Sequence, residues 1–300
     1  MRTLLVALVL VLVLPAAARA AGPVLGGCPV LPERHAVNRD ISEAPVDPRS
    51  KAYIASILGS GGNRFMHADF GGEGEYGIPF RVVDAAQKLV PITFDEYADE
   101  SDPGPYPIPL GAPVEQGSDR HVLVLQRERC RLYERYHARR AGRGWRAGSG
   151  AVFDLRSGRA RPAGWTSADA AGLPILPLLA RYEEVAAGEI RHALRFTVSR
   201  SQRGYVAPAR HFASSDDDPR LPPMGLRLRL KRSFKISGYR GQARVVLNAL
   251  RRYGMIVADN GSDWFITGAA DRRWDDEDLN QLKRVPGSAF EVVRHGRVVR

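Results

Sequence analysis

Three kinds of hydrophobic pattern run along this chain. One is continuous: Leu4 to Leu14 is an unbroken apolar run that follows Arg2 and stops at Pro15. One alternates: Leu226, Leu228 and Leu230 are separated by Arg227 and Arg229 and followed by Lys231, which predicts a half-buried strand. Ile190, His192, Leu194, Phe196 and Val198 share a strand face in the same way. The third has helical spacing. Tyr53, Ile54, Ile57 and Leu58 follow Asp47-Pro48, a capping residue before a proline whose missing N–H costs nothing at a helix start. Val246, Ala249, Leu250 and Tyr253 make a second helical stripe, with Gly254 placed to end it.

Shorter β-like runs fill the rest. Runs at 78–83 and 89–94 are close enough to form a hairpin through 84–88, and those at 121–125 and 130–137 through 126–129. Further strands are expected at 151–155, 255–258, 264–267 and 289–293, with Asn260-Gly261 as a hairpin turn. Short helices are expected at 167–171, near 178–187, and after the acids at 275–278. Pro103, Pro105, Pro107 and Pro109 forbid a central strand and predict an extended surface loop or lid. Many short strands with few helices predict a mainly β fold, a β-sandwich or jelly roll with a few inserted short helices. The expected organisation is a leader at 1–20, an extended arm at 21–46, one β-rich domain at 47–293 and a frayed basic tail at 294–300.

The continuous run changes the picture most. With Arg2 before it and Ala18-Arg19-Ala20 after it, it reads as a secretory signal peptide cleaved near Ala20. No second apolar run is long enough to span a bilayer, so the mature chain is expected in the periplasm or the medium. An exported chain with two cysteines, Cys28 and Cys130, is expected to form a disulfide. The alternative is a lipoprotein-like Leu25-Gly26-Gly27-Cys28, which would acylate Cys28 instead.

The formal net charge is +11, and removal of Arg2 and Arg19 leaves +9. Lysine occurs only at Lys51, Lys88, Lys231, Lys235 and Lys283, so arginine carries the charge. This reflects either GC-rich coding or attraction to anionic polymers outside the cell, such as acidic polysaccharide or teichoic acid. Nucleic acid is not the expected partner, because the basic residues are scattered among acids and no binding motif accompanies them.

Strongly diagnostic catalytic motifs are missing: there is no Walker loop, G-x-S-x-G, H-E-x-x-H or C-x-x-C, and no cofactor is expected. Candidate chemistry is therefore dispersed. Glu189 and His192 flank a strand start, and His211 follows Ala209-Arg210; a hairpin through 200–204 would bring the two histidines together as a proton-transfer pair or zinc ligands. His67 and Asp69 share a strand face, where Asp69 could orient a histidine or complete a metal site. Trp165 beside Thr166-Ser167-Ala168-Asp169 could stack on a sugar, and Trp264 after Asp259-Asn260-Gly261-Ser262-Asp263 would suit a carbohydrate cleft. Each also has an ordinary structural explanation: satisfied core histidines, a helix N-cap at 166–169 and turn chemistry at 260–261.

Several segments together carry a family signal. They are Asn38-Arg39-Asp40-Ile41-Ser42 with Pro45-Val46-Asp47, His67-Ala68-Asp69-Phe70-Gly71, Tyr76-Gly77-Ile78-Pro79, the stretch from Tyr97 to Pro107, and Arg120-His121-Val122-Leu123. Gly148-Ser149-Gly150-Ala151, the stretch from Gly164 to Pro174, and Asp259-Asn260-Gly261-Ser262 complete the set. The chain resembles, over nearly its whole mature length, a family of exported bacterial proteins with no assigned activity. The resemblance implies one integral domain and adds no catalytic residues.

The leading expectation is a secreted carbohydrate-active enzyme that cleaves a polysaccharide by hydrolysis or β-elimination. Asp69 and Glu189 would be the acid/base groups, His192 and His211 the proton-transfer partners, and His67, Trp165, Asp169 and Trp264 would bind substrate. The alternatives are a non-catalytic cell-wall or glycan-binding protein and a metal-dependent hydrolase using His192, His211 and Asp69.

Overall fold

The computed structural model describes residues 22–68, 70 and 76–300. The leader at 1–20 and Asp69 lie outside the described residues. A hairpin of β1 (Val24–Leu25) and β2 (Cys28–Pro29) precedes helix α1 (Ser50–Leu58). The next strands are β3 (Phe80–Val83), β4 (Ile92–Phe94), β5 (Val122–Gln126), β6 (Arg131–Tyr136), β7 (Arg139–Ala141), β8 (Gly144–Ala147) and β9 (Ser149–Asp154). Helix α2 (Tyr182–Ala186) and β10 (Leu194–Val198) come next, then β11 (Arg227–Leu230) and α3 (Gly241–Arg252). The last elements are β12 (Met255–Asn260), α4 (Asp276–Asn280) and β13 (Phe290–Val292).

The strands form separate sheets, none closed into a barrel: β3-β5-β6-β9, β10-β12-β11-β13, β4-β8-β7 and the β1-β2 pair. The mainly β expectation holds at that level. β5–β6 is the expected hairpin, with Leu125 opposite Leu132. The hairpin through 84–88 does not form. β3 runs parallel to β5, and β4 parallel to β8 in another sheet. Adjacent strand-like runs with a short link satisfy local hairpin rules, but each found a better-buried partner elsewhere. Nor does Asn260-Gly261 close a hairpin: the chain crosses to the far side of β10, where Ile266 bridges Phe196.

Period-two alternation gives the β3-β5-β6-β9 sheet two apolar faces. Leu123, Leu125, Leu132, Ala151 and Phe153 join the main core with Leu194, Phe196, Leu228 and the α3 stripe of Val246, Leu247 and Leu250. Val122, Val124 and Tyr133 form a second core with Tyr106, Ile108, Trp145 and Ala147. The proline-rich loop is therefore partly internal: its Tyr106 and Ile108 are buried, and Val90 bridges Tyr106. Helix α3 ends as its sequence predicts, with Gly254 at φ 71°, where a Cβ would meet the Leu228 carbonyl.

Cys28 and Cys130 form the expected disulfide, with Cα atoms 5.4 Å apart, so the Cys28 thiol is not the lipid attachment point. The N-terminal arm is tied to the domain by it and by the Ala193 N–H bond to the Val37 carbonyl. The C-terminal tail is held too, since Val299 and Tyr205 exchange backbone hydrogen bonds of 2.8 Å. Among the described residues no helix is long and apolar enough to cross a membrane.

Candidate functional site

A cleft of about 530 Å³ opens where the two four-stranded sheets meet. Its lining includes Tyr97, Tyr136, Thr166, Asp169, His211 and Asp259. Each is delivered by a local decision in the sequence. At 166–172 the helix expected for 167–171 is replaced by a turn. The Ser167 hydroxyl accepts the Asp169 N–H (2.9 Å) and donates to the Leu173 carbonyl (2.6 Å). A serine that bonds its neighbours' backbone competes with helix propagation. The turn aims Asp169 inward, where it is fully buried.

Arg195 of β10 meets it there. Its Nε and Nη2 donate to the two Asp169 carboxylate oxygens at 3.1 and 3.0 Å, and Nη1 donates to the Thr267 hydroxyl at 2.8 Å. Burial disfavours the guanidinium charge, but Asp169 outweighs it and raises the pKa of Arg195 further. A bidentate pair of this kind is a fixed, strong electrostatic element.

Asp259 reaches the same arginine through a bulge. Arg195 pairs with Ile256 and Phe196 with Val257, but Thr197 pairs with Asp259, leaving Ala258 extra. Strict alternation from Ile256 would send Asp259 to the opposite face. The bulge returns it to the face of Arg195, with Oδ2 3.9 Å from Nη2. The Ala258 carbonyl accepts the Ala171 N–H (2.9 Å), which fastens the 166–172 turn to the strand. Burial and then the Asp169 charge raise the Asp259 carboxyl to about 7, against the opposing pull of Arg195. Its side chain keeps 24 % of its surface exposed, toward the cleft.

His211 stands on the cleft wall with its tautomer set from behind. Nδ1 donates to the Ala170 carbonyl at 2.8 Å, which leaves Nε2 as the acceptor nitrogen of the neutral ring. Nε2 is 3.9 Å from Glu100 Oε2, and Glu100 accepts the Thr166 N–H at 2.7 Å. Buried Arg161 braces this corner, donating to the carbonyls of Thr166 and Glu100 at 2.6 Å each and to the Asp102 carboxylate. Behind Ala168, His121 donates to the Ala168 carbonyl (2.9 Å) and to Glu115 (2.6 Å). Both its nitrogens therefore face acceptors. Burial opposes its charge, but Glu115 overcomes that and raises its pKa.

The other sequence candidates are elsewhere. His192 is fully buried. Nδ1 donates to the Ala193 carbonyl (2.8 Å), and Nε2 lies 3.0 Å from both Glu184 and Arg181. The hairpin that was to join it to His211 is not formed, because Tyr205 bridges Met224 and Val299 instead of β10. Glu189 is a surface acid paired with Arg252 at 2.7 Å. His67 stacks on Phe265 at 4.5 Å, away from the cleft. Trp264 is fully buried between Phe196 and Phe290, so no sugar can reach it. Trp165 packs by Arg161 outside the cleft lining. Of the named candidates, His211 and Asp169 meet here.

The sequence reading gave no role to Arg195, Glu100, Tyr97 or Tyr136. Arg195 had a readable signal, a charge inside the otherwise apolar Leu194-Arg195-Phe196. A strand covered on both faces must pair such a charge. Among the described residues no group of three or more His, Cys, Asp or Glu is arranged to hold a metal ion. Comparison of the chain with protein-family models, with curated proteins and with solved structures found no match.

Proposed function

We propose that this is an exported hydrolase of a neutral polysaccharide, with the cleft at Asp259 and His211 as its active site. The observation that carries the reading is the shared guanidinium. Asp169 occupies Arg195 with both oxygens, so Asp259 stands second in line beside a like charge at the wall of an open cleft. Two acids held in such unequal surroundings divide into one ionised and one protonated, the arrangement used for acid–base work. Asp259 would give its proton to the glycosidic oxygen. His211 Nε2 would take a proton from the attacking water.

The substrate class follows from the cleft's charge. Asp119, Asp169 and Asp259 line the cleft, and the lining cation Arg203 is already paired with Asp217 at 2.9 Å. This lining disfavours polyanions despite the basic surface, and with them the uronate sugars that β-elimination requires. The rings of Tyr97, Tyr136 and Phe212 offer apolar faces for sugar stacking. Export is inferred from the leader pattern and is consistent with the disulfide. The same inference takes in the exported bacterial family. Four of the segments that resemble it, at 97–107, 148–151, 164–174 and 259–262, contribute lining to this cleft. For the scaffold, the packing of β3-β5-β6-β9 against β4-β8-β7 around Trp145 supports a sandwich-like reading.

The test is incubation of the mature protein with a panel of neutral and acidic wall polysaccharides, with products read by mass spectrometry. Addition of one water per cut, lost in Asp259→Asn, supports the proposal. Unsaturated products would make it a lyase. Saturable binding without turnover, unchanged in Asp259→Asn, would make it a glycan-binding protein.

A further inference from the structure

The second core holds a cation that the cleft does not use. Arg135 lies in β6, opposite Val122 of β5 and Gly150 of β9, and is fully buried. Its guanidinium sits 4.3 Å from the centre of the Trp145 ring. Among the described residues its Nε, Nη1 and Nη2 have no hydrogen-bond partner, and neither does the indole Nε1 of Trp145. The ring face attracts the charge but accepts none of the in-plane N–H groups. Nearby acids are engaged elsewhere. Glu134 points to the other face and accepts the N–H groups of Ile175 and Leu176 at 2.8 Å. Asp102 takes Arg161 and the Val152 N–H. Burial pushes Arg135 down to about 9, which still leaves the guanidinium ionised at neutral pH.

We propose that Arg135 and the Trp145 indole N–H form a buried binding site for a small monovalent anion, a halide. The charge class follows from the single guanidinium: water could satisfy N–H groups but would leave the positive charge uncompensated. The size follows from the packing. Tyr106, Tyr133, Val122 and Ala147 share this core, and even a Cβ on Gly150 would press on the Phe94 ring. This tight packing favours the smallest anions over a polyatomic anion or a sugar. The site is independent of the proposed activity.

The experiment uses bromide. Crystals of the mature protein in sodium bromide, with data collected at the bromine edge, are expected to show an anomalous peak against Arg135 and Trp145. In solution, Tm is expected to rise by about 3 °C per tenfold increase in halide, at constant ionic strength against gluconate. Trp145→Phe, which keeps the ring and removes the donor, weakens that dependence, and Arg135→Met abolishes it. If Arg135→Met does not fold, the bromide crystal and Trp145→Phe decide. A bromide crystal with water or nothing at this position, together with a halide-independent Tm, overturns the proposal.

Discussion

Two histidines, His192 and His211, look alike in the sequence and have opposite fates in the fold. Each is held from behind by an Nδ1 hydrogen bond of 2.8 Å to a backbone carbonyl. The difference is what Nε2 meets. At His192 it meets Glu184 and Arg181 inside the protein. Burial opposes ionisation of Glu184, but the charges of His192 and Arg181 outweigh it and hold that carboxyl down to about 2. At His211, Nε2 stands on the wall of an open cleft, 3.9 Å from Glu100. A histidine becomes available for chemistry when its second nitrogen has no committed protein partner. The closed site is an element of stability, and the open one is the site proposed for function.

The largest expected effect lies on the open side. Asp259→Asn keeps the size of the side chain and removes the proton. Turnover on a substrate found by the panel should fall by about 10²–10⁴ with an unchanged melting curve. His211→Ala should lose turnover to a similar degree. His192→Ala should instead keep kcat and lose about 1–3 kcal/mol of unfolding free energy, because Glu184 and Arg181 keep their own 2.7 Å pair but lose the imidazole that contacts both. An inactive but stable His192→Ala would break the comparison.

pH sharpens it. Asp259 must hold its proton to act as an acid and sits at about 7, so kcat should decline as pH rises through 7. Asp169→Asn removes the like charge and frees Arg195 to pair with Asp259. Both changes lower the Asp259 pKa, so the declining limb should move to lower pH.

The smallest effects are on stability. Glu184 is depressed from 4.5 to about 2, so its contribution is present above pH 4.5 and is lost as pH falls toward 2. Glu134 has the opposite sign: burial raises it from 4.5 to about 7, so it destabilises the fold progressively as pH rises from 4.5 through 7. Each amounts to about 3 kcal/mol across its window. Chemical unfolding of Glu184→Gln should lose the acid-side slope and retain the neutral-side one.

Much of the secondary structure was legible because it is local. The α3 stripe, the β11 alternation and the β5–β6 hairpin follow from spacing alone. Pairing was less legible. The run at 78–83 had two possible neighbours, and burial favoured β5 over the adjacent β4. The site was least legible. His211 and Asp169 could be nominated by residue type, but nothing local separates His211 from His192, or a buried Trp264 from an exposed one.

What this chain's sequence determined by itself was a mainly β composition, the helical stripes and the cysteine pair that closes a loop across 102 positions. Tertiary structure alone decided that Asp169, Asp259 and His211 would share one cleft, with Arg195 buried against the two carboxylates. The physical reason is the bulge at Ala258. One extra residue against β10 reverses the face on which Asp259 emerges, and that extra residue exists only when β10 and β12 pair.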